Sequence, residues 1–180
     1  MKFHFLWLVF VIAMIAVSGC GAAPKTALPA TATVQSAKAD TSASLEQSAT
    51  TTTYKLALAI APPEKMLTVE EAKTAKEGEV MVGGEMAMST PDKPMTHHLE
   101  VSVTDQKSGA LITEQSVAIA VANVTTRQVT NIPIAKMYGL DAGVSETHFG
   151  NNVALAAGSY TIVVTVGGEA ATFQVTIPTL

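Results

Sequence analysis

Two histidines and a glutamate open the alternating apolar run HHLEVSV, residues 97–103. In a strand successive side chains point to opposite faces, so His98 and Glu100 share one face while His97 and Leu99 share the other. An imidazole and a carboxylate two positions apart on one face can hold a divalent metal. They can equally form an exposed ion pair worth about 0–1 kcal/mol. The chain has four histidines, and His4 lies in its apolar start. The fourth, His148, stands in the polar stretch ETHFGNNV, bordered by Gly143 and Gly150. Loop positions held by a rigid scaffold are where sites tend to be built.

Methionine offers a second kind of donor. Met81, Met86, Met88, Met95 and Met137 all fall before or between these histidines. Met81 reads as core, whereas Met86 and Met88 lie in a segment rich in Gly, Pro, Ser and charge. Thioether sulfur is a soft ligand that selects copper; imidazole and carboxylate also accept ferrous iron, zinc or manganese. Other chemistries find little support. Ser145 and Glu146 precede His148 in SETH, but no strand-turn-helix context for a nucleophile elbow surrounds them. No Gly-rich phosphate loop is present, so no catalytic residues are expected and the chain is not read as an enzyme. A net charge of −4, with charged residues at 14%, argues against nucleic-acid binding, as does the absence of a basic stripe interleaved with aromatics.

The elements that must position these groups begin after a leader. Met1 and Lys2 form a basic start, Phe3 to Ala16 is a nearly unbroken apolar run, and VSGC ends in the chain's single cysteine, Cys20. That pattern predicts a secretory signal over residues 1–19. VSGC resembles the lipobox of bacterial lipoproteins, which implies lipidation at Cys20 and anchoring to membrane lipid outside the cytoplasm. Acyl chains contribute about 0.8 kcal/mol per buried methylene. Gly21 after the cysteine favours the outer membrane where the host has two membranes, and the cell membrane otherwise. Residues 20–53 are dominated by Ala, Thr and Ser without periodicity and read as a disordered tether.

From Tyr54 to Leu180 one strand-rich domain is expected. YKLALAIA, EVMV, HLEVSVT and QSVAIAVANV alternate or run apolar between turn signals, and TVEEAKTAK carries the Thr68 to Glu71 spacing of a capping box. Pro133 in QVTNIPIA marks a sheet edge. Gly167 and Gly168 predict a tight hairpin between the last two strands. Turn signals at this spacing favour an antiparallel β-sandwich, and Tyr160 at a strand start after a Gly turn has the look of a tyrosine corner, an immunoglobulin-like feature. An ordinary half-buried strand tyrosine is the other reading.

HHLEVSV, then MYG, then HFGNNVALAAGSYTIVVTV together resemble the family of periplasmic iron-transport-associated proteins, over about residues 79–177. These are small immunoglobulin-like proteins that bind copper and support iron uptake through a membrane permease. The resemblance implies a metal site of His98, Glu100, Met137 and His148, with copper as the ion, and water, His97, Met86 or Met88 completing its shell. It also implies a homodimer and an iron permease as partners. Family members commonly carry a further histidine on a later loop, whereas here VGGEA turns directly into the final strand, as in a shortened relative. The competing readings are a metal-free immunoglobulin-like envelope adhesion or assembly module, and a copper enzyme oxidising ferrous iron.

Overall fold

Most strands of the computed structural model form where apolar residues recur at every second position and glycine, proline or polar clusters interrupt them. The structure describes residues 45–82 and 94–179. The signal segment, Cys20, the tether before Leu45, Met86 and Met88 lie outside these. Along the chain come β1 (Leu45–Thr50), β2 (Tyr54–Ala61), β3 (Met66–Leu67), α1 (Val69–Ala72), β4 (Glu79–Met81) and β5 (His97–Asp105). They are followed by β6 (Val117–Asn123), β7 (Val129–Ile132), β8 (Ala135–Gly139), β9 (His148–Val153), β10 (Gly158–Val166) and β11 (Glu169–Ile177).

These strands make the expected all-β sandwich. One sheet has the order β1-β2-β5-β9-β8-β4-β3 and the other β11-β10-β6-β7. All pairings are antiparallel except the short β3–β4 pair. Between the sheets lies one apolar core, built from alternate residues: Leu56, Leu58 and Ile60 of β2, Leu99, Val101 and Val103 of β5, Ile162, Val164 and Val166 of β10, and Phe173 of β11.

Several local signals form as read. Thr68 and Glu71 close a reciprocal capping box on α1, which still runs only four residues. A four-residue helix has too few hydrogen bonds to persist without the packing around it. Gly167 and Gly168 take φ values of 55° and 87°, the left-handed pair that a two-residue hairpin needs. β7 is the edge of the smaller sheet, and Pro133 stands where the chain leaves it to enter the larger sheet as β8. Tyr160 is buried and its hydroxyl donates to the Ala156 carbonyl at 3.0 Å, four residues upstream, as a tyrosine corner does.

One boundary needs correction. The tether was expected to reach residue 53, but Leu45–Thr50 pairs along its whole length with β2. LEQSAT has weak strand propensity of its own. It is ordered by the exposed backbone donors and acceptors of β2 and by burial of Ala49. The folded unit therefore includes Leu45.

Candidate metal centre

The site lies on the larger sheet's outer face, the one turned away from the sandwich core. Parity along β5 puts His98 and Glu100 there, since Leu99 and Val101 face inward. Register carries the face across the sheet. His98 lies opposite Asn152 of β9 and Glu100 opposite Gly150, so His148, at the same parity of β9, joins them. On the other flank, His148 lies opposite Met137 of β8 and Met137 opposite Met81 of β4. Glu79, two residues before Met81, thus shares the face. Ala59 and Ala61 of β2 stand beside Glu100 and His98, so small side chains border the ligands on that side.

Glu79, His98, Glu100 and His148 each bring a ligand atom to one point, all within 4.8 Å of one another. The His148 Nε2 sits 3.1 Å from Glu79 Oε2 and 3.1 Å from Glu100 Oε2. The His98 Nε2 lies 3.8 Å from Glu100 Oε2, and the two rings meet edge-on with centroids 6.1 Å apart. Donors at about 2.1 Å from a common ion stand at most about 4.2 Å apart, so the widest separation exceeds what one ion spans by about 0.6 Å at most.

The hydrogen bonds behind the rings fix their tautomers. His148 Nδ1 lies 3.0 Å from the Glu146 carbonyl, which can only accept, so Nδ1 carries the proton. His98 Nδ1 lies 3.0 Å from Asn152 Oδ1. The Asn152 amide is oriented by the Glu64 backbone: its Nδ2 donates to the Glu64 carbonyl at 2.7 Å, and its Oδ1 accepts from the Glu64 N–H at 3.0 Å. His98 therefore also donates from Nδ1. With both rings neutral, each Nε2 presents a lone pair to the carboxylates, a meeting of acceptors with no donor. Accordingly, among the described residues, Glu79 Oε2, His98 Nε2 and His148 Nε2 are buried without hydrogen-bond partners. Such groups cost about 1–3 kcal/mol each when left unsatisfied.

Two kinds of cation satisfy this arrangement. A proton is one: burial pushes the His148 pKa down, but the Glu79 and Glu100 carboxylates and the Glu146 carbonyl together outweigh it and hold the pKa above the usual histidine value. A metal ion is the other, and the set of two imidazoles and two carboxylates suits a divalent ion, with each histidine's second nitrogen already held as metal-ligating histidines are. Burial of the ligands is graded. The His98, His148 and Glu79 side chains are 2%, 7% and 14% exposed, while Glu100 is 30% exposed and opens to a cavity of about 460 Å³ bordered by Asp141, Ser145 and Glu146.

Each residue of HFGNNV has a task here. Phe149 and Val153 enter the core. A Cβ on Gly150 would stand 1.9 Å from the Leu99 carbonyl oxygen, so only glycine lets β9 run this close to β5. Asn151 donates to the Pro133 carbonyl at 3.0 Å, tying β9 to the point where the chain changes sheets.

Of the ligands expected from sequence, His98, Glu100 and His148 come together. Met137 is fully buried on the same face, directly across from His148, and packs against Met81 and Ala135. His97 is corrected out of the set: strand parity turns it to the other face, where its Nδ1 lies 2.8 Å from Thr96 Oγ1. Glu79 is the ligand that sequence reasoning missed. Its signal is the alternation of Glu79 with Met81 in EVMV, but which strand that face would border is decided by pairing with β8. Comparison with known proteins returned no matching family model, no matching curated relative and no matching solved structure.

Proposed function

We propose that this chain is a lipid-anchored, extracytoplasmic metal-binding protein that uses Glu79, His98, Glu100 and His148 to hold a divalent transition metal. The observation that carries the reading is the convergence of buried, unpartnered acceptors, Glu79 Oε2, His98 Nε2 and His148 Nε2, on one point. Among first-row divalent ions copper binds nitrogen and oxygen donors most tightly, so Cu(II) is the ion we favour. The resemblance of HHLEVSV and HFGNNV to iron-transport-associated proteins supports a role in iron or copper uptake beside a membrane permease, and VSGC supports anchoring through Cys20.

In this reading the chain's own residues do three things. The Glu146 carbonyl and Asn152 hold the two imidazoles in the tautomer that offers Nε2. The two carboxylates supply the charge that offsets a divalent ion. The sheet keeps the donors within reach of one another before any ion arrives, which limits the ordering cost of binding.

The test is a Cu(II) titration of the chain purified from residue 21 onward, followed by calorimetry and by electron paramagnetic resonance. One equivalent should bind with nitrogen couplings, and His98→Ala with His148→Ala should remove that binding. Equal Cu(II) affinity in the wild type and this double variant would overturn the assignment.

A further inference from the structure

Among the described residues the two sheets end in β1, β3, β11 and β7, and the first three are blunted against further pairing. On β11 the Gln174 carbonyl accepts from Gln47 Nε2 of β1 at 2.8 Å. β1 carries the carboxylate of Glu46, and β3 is two residues long. Cover, charge and shortness are the usual protections of an edge. β7 differs: Val129–Ile132 carries no charge, and Val129 is 61% exposed.

Pairing along β7 is one-sided. The Asn123 N–H donates to the Gln128 carbonyl, Val121 lies opposite Thr130 and Ile119 opposite Ile132. Bonds to a given neighbour alternate along an antiparallel strand, so Gln128, Thr130 and Ile132 turn their backbone groups toward β6. The N–H and C=O groups of Val129 and Asn131 turn to the open side, where no strand stands among the described residues. Beneath β7, between it and the turn from β9 to β10, lies a groove of about 620 Å³. Its floor is the core itself, with Val121, Ile132, Val153, Leu155 and Tyr160, and none of the residues lining it is charged. A strand laid beside β7 sends every second side chain to this face of the sheet.

We propose that the β7 edge and its groove are a docking site for a strand of a partner protein: a short extended segment, uncharged, with apolar side chains at alternate positions. Its backbone pairs with Val129 and Asn131, and its apolar side chains complete the core at the groove floor, the mode by which a peptide adds to an exposed sheet edge. The neutral lining selects against a charged segment, which would lose water without meeting an opposite charge. The outward backbone groups select against a purely apolar small molecule, which would cover them and satisfy none. Arg127, in a left-handed conformation at φ 58°, and Pro133 bound the edge, so the paired stretch is short. The site uses none of the four metal ligands and stands or falls without them.

The probe is a short synthetic peptide alternating valine and threonine, with a lysine at each end for solubility, added to the chain purified from residue 21 onward. Amide hydrogen exchange followed by NMR should slow about tenfold or more at Val129 and Asn131 when the peptide binds. The same peptide N-methylated at alternate residues, on the edge that would face β7, lacks the donors and should bind about tenfold or more weakly. Thr130→Lys places an inward-pointing charge at an exposed edge position and should weaken the unmethylated peptide about tenfold or more, with thermal unfolding unchanged. Unslowed exchange at Val129 and Asn131 in the wild type would overturn the site. So would equal binding of the two peptides, which would make the groove a pocket for apolar groups and not a strand acceptor, or undiminished binding by a folded Thr130→Lys. The comparison of peptides uses the wild type, so the test holds even where the variant does not fold.

Discussion

The two faces of the larger sheet are made by the same strands and obey opposite rules. Along β5, Leu99, Val101 and Val103 point inward and are fully buried in the core between the sheets. The residues between them, His98, Glu100 and Ser102, point outward, and His98 is buried as deeply as Leu99 though it is polar. The inner face gains stability by removing apolar surface from water. The outer face gathers acceptors that, with both rings neutral, no group among the described residues satisfies. Strand parity lets one backbone serve both, because shifting a residue by one position moves it from the stabilising face to the binding face.

The largest effect that separates the faces belongs to the inner one. Phe173 is fully buried in the core. Phe173→Ala should lower the unfolding free energy by about 3–5 kcal/mol, measured by urea denaturation without metal. The folded protein should still bind Cu(II) as the wild type does, because Phe173 lies in the core between the sheets and the ligands on the larger sheet's outer face. A large change in the affinity of the folded fraction would show that the faces are coupled.

Next in size is a change on the outer face that touches no ligand atom. Asn152 holds His98 Nδ1 and is itself held by the Glu64 backbone. Asn152→Ala should weaken divalent-metal affinity about 10–100-fold, in line with other partners that orient ligating histidines. The unfolding free energy without metal should fall by about 1–3 kcal/mol, since the Glu64 groups it frees are exposed to water but His98 Nδ1 loses its partner in a buried position. A stability loss as large as that of Phe173→Ala, with metal affinity unchanged, would make Asn152 a structural residue and erase the distinction drawn here.

How much of this was legible in the sequence follows the same division. His98 and Glu100 could be placed on one face because parity is a local property, and the same parity removes His97. The capping box, the Gly167 and Gly168 hairpin and the edge at Pro133 were likewise readable from neighbouring residues alone. Glu79 was not, since its membership depends on which strands become neighbours across β8 and β4, a long-range choice made by the fold. Leu45–Thr50 was missed for a related reason: its strand is imposed by the edge of β2 rather than encoded in LEQSAT. Local chemistry was legible, and pairing was not.

The smallest effect is the most diagnostic of the outer face, because proton and metal compete for it. Without metal, the raised pKa of His148 means that the fold prefers the protonated ring between Glu79 and Glu100. A group whose pKa rises on folding stabilises the fold fully below its unfolded value, about 6.5 for histidine, and loses that contribution as pH rises through the folded value. Metal-free protein should thus become less stable as pH climbs through this window. With saturating Zn(II) the slope should reverse, since the ligands must be deprotonated to bind and binding stabilises the folded state by mass action. Thermal unfolding across pH, with and without Zn(II), should give curves that cross, and His148→Ala should flatten both. Parallel curves would mean that proton and metal do not share the ring, and that the acceptors gathered on the outer face serve neither.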